Sequence, residues 1–106
     1  MGWIGVDLDG TLAEYGGWQG PGHIGMPISP MVDRVKGWLA KGQEVRIFTA
    51  RANSPDAAES IAQWCADHIG QRLPITATKD FAMIELWDDR AVQVIPNTGR
   101  RADGAE

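Results

Sequence analysis

Val6-Asp7-Leu8-Asp9-Gly10-Thr11 places two aspartates and a glycine turn directly after an apolar run that begins at Trp3. A mostly apolar run of this kind is typical of a strand buried on both faces, as in a parallel sheet. Because side chains two apart on a strand point the same way, we expect Asp7 and Asp9 to project together from its carboxyl end. Neighbouring carboxylates repel each other, and a divalent cation would compensate. The alternative is a solvated acidic turn after an edge strand.

Length and composition limit the class of protein. The chain has 106 residues, 43% hydrophobic and 23% charged, which fits one globular domain. Its formal net charge of -4 argues against a general surface for nucleic acid or anionic membranes, although a local basic site is compatible with it. The single cysteine, Cys65, leaves no intramolecular disulfide. Without a membrane-length apolar run or a secretion signal, we expect a cytoplasmic protein.

The order of the predicted elements indicates a parallel α/β sheet with right-handed crossovers. Each predicted helix begins at a Ser-Pro pair, Ser29-Pro30 and Ser54-Pro55, in which the serine is the expected N-cap and the proline the first helical residue. We predict a three-layer α/β/α, Rossmann-like arrangement. Its sheet would have about five strands, at residues 3–8, 44–49, 73–78, 83–87 and 91–95.

A long irregular stretch, residues 13–29, contains too many glycines and prolines for a regular helix. Loops of this length within a compact domain often have a function, and we expect a flap over a site or a small hairpin. Tyr15, Trp18, Gln19 and His23 are its recognisable side chains. Local packing that holds the shape of the loop is the alternative for each of them.

Polar side chains follow the predicted strands at the points where those strands end. In open α/β sheets, ligands bind beyond the carboxyl ends of the strands, so we expect these side chains to meet at one site. The set consists of Asp7, Asp9, Thr49, Arg51, Lys79, Asp88 and Asp89. Arg51 and Arg90 flank this site, where each could contact a substrate or pair with an acidic neighbour.

These residues resemble the motifs of the haloacid dehalogenase-like superfamily, most of whose members are magnesium-dependent phosphatases and phosphotransferases. Four segments match in order, spacing and strand context: Asp7-Leu8-Asp9-Gly10-Thr11, Ile47-Phe48-Thr49, Lys79 and Trp87-Asp88-Asp89. The first and fourth together are specific, whereas the second and third carry little information alone. The chain leaves no room for the cap domain of larger members. The resemblance therefore implies a capless core over residues 1–99, a flap at residues 13–29 and a flexible polar tail at residues 100–106.

The resemblance also implies a mechanism, the hydrolysis of a phosphomonoester through an aspartyl-phosphate on Asp7. Asp9 would be the general acid and then the base, and Lys79 would neutralise charge on the transferring group. Thr49 and backbone amides after Asp7 would hold the phosphoryl oxygens. The expected substrate contacts are Gly10, Thr11, Ala50 and Arg51.

Mg²⁺ is the cofactor that this mechanism requires, because a carboxylate attacks a phosphate dianion only when a cation screens their charges. The ion prefers oxygen ligands and keeps several waters. The expected ligands are Asp7, the backbone carbonyl of Asp9, Asp88 and Asp89.

The sequence alone leaves other functions open. A receiver domain also forms an aspartyl-phosphate on a parallel sheet, but its acceptor stands on the third strand. A non-catalytic phosphate-binding module that kept the core is another alternative. Nucleotides or nucleic-acid ends are alternative substrates, and the net charge does not support the latter. We expect a small phosphorylated molecule, no membrane partner and, because the site is open, a homo-oligomer that covers it.

Overall fold

Four parallel strands form one sheet in the computed structural model, which describes residues 2–105. They are β1 (Trp3–Val6), β2 (Glu44–Phe48), β3 (Ile75–Thr76) and β4 (Met83–Trp87), and their order across the sheet is β3-β2-β1-β4. The α/β class and the parallel pairing are as predicted. Because β1 lies between β2 and β4, the residues that follow it stand near the middle of the sheet edge.

Two helices, α1 (Ser29–Ala40) and α2 (Pro55–His68), connect the strands. Ser54 caps α2 as predicted, since its side chain accepts a hydrogen bond from the backbone N–H of Ala57 at 3.4 Å. The predicted cap of α1 is wrong: Ser29 is already helical, Ile28 is the N-cap, and no side chain caps this end. The Ile28 N–H donates to the Leu12 carbonyl at 2.8 Å, which fixes the entry of the helix one residue earlier than expected.

Both helices pack on the same face of the sheet. The steps from β1 to β2 and from β2 to β3 run in the same direction, so right-handed crossovers place both helices on one side. Ile4, Val6, Val45 and Ile47, which alternate along β1 and β2, belong to the same core cluster as residues of both helices. The helical residues in this cluster are Met31, Val32, Val35, Ile61, Trp64 and Cys65.

The opposite face of the sheet carries no helix in the part of the chain that the structure describes. The link from β3 to β4, residues 77–82, is too short for one. Trp3 lies on this face and is buried there beneath the Arg46 guanidinium, which stands 4.4 Å from its ring centroid. Leu86, the register partner of Gly5, remains 37% exposed. Residues 2–105 therefore form two layers, and the three layers that we predicted are not confirmed.

The predicted fifth strand, residues 91–95, is not part of the described sheet. A single antiparallel bridge joins Val94 to Arg101, and the Ile95 N–H donates to the Arg100 carbonyl at 2.8 Å. The Ala102 N–H also donates to the Gln93 carbonyl at 2.8 Å, so this apolar run pairs in a local hairpin instead of with the edge strand β4. The flexibility predicted for residues 100–106 stays a prediction. No described helix is long and apolar enough to cross a membrane.

The strand predicted at residues 73–78 is shorter than expected, because only Ile75–Thr76 pair with β2. Pro74 has no N–H to donate to a ladder. At the other end the Thr78 N–H donates to the Thr76 hydroxyl at 3.0 Å, and this local bond turns the chain out of the sheet.

Candidate functional site

A cleft of about 670 Å³ opens at the carboxyl ends of β1 and β2, a volume in the range of small-molecule sites. The loop after β1, the flap, the turn after β2 and the loop after β4 all contribute to its walls. The lining residues are Asp7, Asp9, Tyr15, Trp18, Phe48, Thr49, Ala50, Arg51, Asn53, Ala77, Asp88, Asp89 and Arg90. The predicted site residues that follow β1, β2 and β4 thus meet in one cleft, as expected from the sequence.

Three carboxylates meet within this cleft. One oxygen each from Asp7, Asp88 and Asp89 can be chosen so that all lie within 4.8 Å of one another. The Asp7 N–H donates to the Trp87 carbonyl at 2.9 Å, and this bond holds the end of β1 against the end of β4. Carboxylate oxygens grouped in this way are suitable ligands for a hard divalent cation. We call these three residues the acidic trio.

Gly10 and Thr11 support the acidic trio. The Thr11 hydroxyl lies 3.3 Å from the Asp7 carboxylate and 3.0 Å from that of Asp89, and it accepts the Asp89 N–H at 3.0 Å. Gly10 has φ +89°, and a Cβ there would lie 2.6 Å from an Asp89 carboxylate oxygen. The amides of both residues donate to carbonyls of the same turn. The structure thus uses them to hold the trio, and it does not bring them into the cleft as the predicted substrate contacts.

Burial and hydrogen bonding change the ionisation of the trio. Burial raises the pKa of Asp7 from its ordinary value of 3.8 to about 7, and the hydrogen bond with Asp89 and the charges of Asp88 and Asp89 add to the effect. Burial acts on Asp89 in the same sense. However, the hydrogen bonds from Asp7 and Thr11 outweigh it and hold the pKa of Asp89 below its ordinary value. Asp7 therefore carries a proton in much of the metal-free protein at neutral pH, and a bound cation would displace it.

Asp9 turns away from the trio and pairs with Arg51. The guanidinium Nε and Nη2 atoms each donate to one Asp9 oxygen at 3.1 Å, a bidentate contact, and the Arg51 side chain is only 7% exposed. Asp7 and Asp9 do not project together as predicted, because β1 ends at Val6 and the two-residue alternation stops with it. Asp9 was predicted to bind the metal through its backbone carbonyl. The pairing of its side chain with Arg51 does not test that prediction.

Arg51 also holds the flap against the core. Its Nη1 donates to the carbonyls of His23 at 2.6 Å and Pro21 at 3.3 Å, and its Cζ lies 4.9 Å from the ring centroid of Trp18. Most of the guanidinium N–H groups therefore have protein acceptors. Little donor capacity is left for the substrate contact that the sequence predicts for Arg51.

Thr49 and Lys79 differ in how they are placed. Thr49 is buried at the end of β2, lines the cleft, and its hydroxyl oxygen accepts the Arg51 N–H at 3.2 Å, so its own hydrogen can still be donated. Lys79 is exposed and lies outside the cleft lining. Within residues 2–105 it forms no ion pair. The structure thus brings Thr49 to the site and leaves Lys79 away from it.

Three cleft residues, Phe48, Asn53 and Ala77, were not among the site residues predicted from the sequence. Phe48 is the last residue of β2, so its position beside Thr49 at a strand end was an available signal. Asn53 ends the 3-10 turn Ala50–Asn53, a segment for which the sequence pattern predicted no helix or strand. Arg90 lines the cleft, as expected for a flanking residue. Its positive charge also lowers the pKa of Asp89, although by less than the hydrogen bonds from Asp7 and Thr11 do.

Comparisons with known proteins bear on the fold. The chain is similar to the solved structure of a conserved protein from Bacteroides thetaiotaomicron, with 23% sequence identity and a TM-score of 0.66. The similarity covers 91% of this chain and 82% of that one. No protein-family model and no curated protein matches the sequence. At this level of identity the likeness shows a shared α/β fold, and function has to be argued from the site.

Proposed function

We propose that this protein is a magnesium-dependent phosphomonoesterase that acts through an aspartyl-phosphate on Asp7. The observation that carries the proposal is the acidic trio, whose oxygens lie within 4.8 Å of one another in a cleft that also contains Asp9 and Thr49. The four-motif resemblance to the haloacid dehalogenase-like superfamily supports it. A small phosphorylated substrate and a cytoplasmic location remain part of this proposal.

The acidic trio is the proposed holder of Mg²⁺, because its donors are all carboxylate oxygens. When bound, the ion would screen the repulsion between the Asp7 carboxylate and the phosphate. A cation at the trio would also favour the ionised form of Asp7, whose pKa is about 7 without it. The residue could then act as a nucleophile at neutral pH.

The chemistry divides into two balanced steps. In the first, an Asp7 oxygen forms a bond to phosphorus while the bond to the leaving oxygen breaks, and that oxygen receives a proton from Asp9. In the second, water attacks phosphorus, Asp9 accepts the water proton, and the Asp7–phosphorus bond breaks to release phosphate. The Thr49 hydroxyl, which lines the cleft, would donate to a phosphoryl oxygen. In the structure both Asp9 oxygens accept hydrogen bonds from Arg51, so Asp9 has to release one of these bonds to carry the proton, while the other keeps its carboxyl oriented.

The position of Lys79 favours a second candidate, a non-catalytic module that binds a phosphate or a metal. In the proposed mechanism a cation should neutralise the transferring group, yet Lys79 is exposed and outside the cleft. Of the two cleft-lining arginines, Arg51 is committed to Asp9 and to the flap, which leaves Arg90 as the candidate. If Arg90 contacts the phosphoryl group, it supplies the positive charge that Lys79 does not, and the catalytic function keeps its neutralising cation.

Phosphate release from a panel of phosphomonoesters, with Mg²⁺ and with EDTA, tests the proposal. We expect release that requires Mg²⁺ and that falls by a factor on the order of 10³ or more in Asp7→Asn. Asp33→Asn, an exposed carboxylate on α1, is the matched control and should keep full activity. Circular dichroism verifies that each variant is folded. Full activity of Asp7→Asn would exclude this nucleophile, and Mg²⁺ binding without any release would support the non-catalytic module.

A further inference from the structure

Two aromatic side chains of the flap line the cleft without taking part in the proposed chemistry. Trp18 is 62% exposed and Tyr15 is 45% exposed, although both rings border the same cleft as Asp7. Tryptophan is usually well buried, and Trp3 and Trp64 follow that rule here with 0% and 7% exposure. Core packing therefore does not account for the position of Trp18.

Trp18 nevertheless has a defined contact with the core. The Arg51 guanidinium, which Asp9 and the His23 carbonyl hold in place, stands 4.9 Å from the Trp18 ring centroid. Within residues 2–105, the core side-chain hydrogen bonds to flap residues 15–23 all come from Arg51. One face of the indole thus rests near a rigid cation while much of the ring remains open. Such a ring offers stacking area at a low cost in conformational entropy.

We propose, on the basis of the phosphatase function above, that Trp18 and Tyr15 bind a planar ring in the leaving group of the substrate. The substrate class is then phosphomonoesters that carry such a ring, of which free nucleoside monophosphates are the type. The phosphate would lie at Asp7 and the ring at the flap, and the cleft of about 670 Å³ is large enough for both. The net charge of -4 favours a free nucleotide over the end of a nucleic acid.

The comparison of adenosine 5′-monophosphate with ribose 5-phosphate tests this subsite, because ribose 5-phosphate carries a hydroxyl group where the nucleotide carries the base. We expect kcat/KM to be about tenfold or more higher for the nucleotide, since stacking of a base on an aromatic side chain contributes about that factor. Trp18→Ala should lower the ratio of the two kcat/KM values towards one. Phe81→Ala, which removes a fully exposed aromatic ring outside the cleft, should leave the ratio unchanged.

A binding measurement separates failure of the subsite from failure of the phosphatase function. Calorimetric titration with adenosine, which carries no phosphate, should show binding to the wild type that weakens about tenfold in Trp18→Ala. If no phosphomonoester of the panel is hydrolysed but adenosine binds in this way, the subsite stands and the phosphatase function fails. Equal kcat/KM for both substrates, or equal losses for both in Trp18→Ala, would overturn the subsite. Tyr15→Ala supplies a second variant with the same expected direction.

Discussion

Arg51 is the residue through which the structure connects the flap to Asp9. Its bidentate contact orients the proposed general acid, while its Nη1 bonds the carbonyls of Pro21 and His23. A lysine at this position would keep the charge but lose the planar fork. We therefore regard Arg51 as a positioning residue rather than a catalytic one.

We predict that Arg51→Lys lowers kcat by about 10²-fold on phenyl phosphates with poor leaving groups and much less on those with good ones. General acid catalysis contributes about that factor or more, and only a poor leaving group needs the proton from Asp9. A series of ring-substituted phenyl phosphates keeps the flap contact constant while the leaving group varies. An equal loss of kcat for good and poor leaving groups would mean that Arg51 stabilises the fold of the site and does not orient Asp9 for proton transfer.

Gly10 offers a second test at this scale. An alanine there would adopt an unfavourable φ of +89° and place its Cβ 2.6 Å from an Asp89 oxygen. We predict that Gly10→Ala lowers the free energy of unfolding by about 1–3 kcal/mol and weakens Mg²⁺ binding. Gly37→Ala is the matched control, because its Cβ would meet nothing within 4 Å in α1 and should stabilise the protein by about 0.5–1 kcal/mol. Urea unfolding and Mg²⁺ titration calorimetry measure both effects, and equal stabilities of the two variants would contradict the prediction.

The site was predictable from the sequence where it depends on strand ends. Asp7, Asp88 and Asp89 come together because parallel strands end at one edge of the sheet, a rule that needs no side-chain geometry. Asp9 was placed wrongly because its direction depends on the turn after Val6. Its partner Arg51 lies far away in the sequence, and no local pattern encodes their contact.

At the level of the elements, the two helix starts show how similar sequences can begin helices differently. Ser54-Pro55 and Ser29-Pro30 both place a serine before a proline, yet only Ser54 accepts a capping hydrogen bond. The cause is tertiary, since the pairing of Ile28 with Leu12 sets the start of α1. A local pattern therefore predicted both helices correctly and one cap wrongly.

We predict that Ser54→Ala lowers the free energy of unfolding by about 1 kcal/mol, the usual contribution of a side-chain N-cap. Ser29→Ala should change it by less than about 0.5 kcal/mol, because an exposed serine without a capping bond contributes little. Chemical denaturation of the two variants against the wild type measures the difference. Equal losses in both variants would contradict the cap assignment in the structure.

The same distinction between local and long-range information explains the strands. The apolar runs of β1, β2 and β4 predicted these strands correctly. The run at residues 91–95 has the same kind of local sequence but pairs with residues 100–102 instead. Periodicity cannot tell whether an apolar run joins a sheet or a hairpin. The number of layers was likewise not predictable from local patterns, because it depends on whether the link from β3 to β4 carries a helix.

For the whole molecule, the ionisation of Asp7 couples stability to pH and to metal. With a pKa of about 7 in the folded state against 3.8 when unperturbed, folded Asp7 retains a proton that the unfolded chain releases. The stability that this group contributes is therefore fully present below about pH 4 and is lost as pH rises towards 7. Mg²⁺ needs the ionised form and binds the folded state, so it should offset this loss.

We predict that Mg²⁺ raises the melting temperature more at about pH 8 than at about pH 5. Differential scanning fluorimetry at both pH values, with Mg²⁺ and with EDTA, measures the shift. Asp7→Asn removes both the titrating group and a ligand, so it should reduce the dependence on pH and on Mg²⁺. An equal effect of Mg²⁺ at the two pH values would show that Asp7 is not linked to the metal.

A crystal structure with Mg²⁺ and beryllium fluoride, a mimic of a phosphoryl group, tests most directly whether the acidic trio binds a metal that assists attack by Asp7. We expect an ion in contact with oxygens of Asp7 and of Asp88 or Asp89, and beryllium bonded to an Asp7 oxygen. A trio without an ion under these conditions, or beryllium bonded to Asp9, would contradict the proposed mechanism.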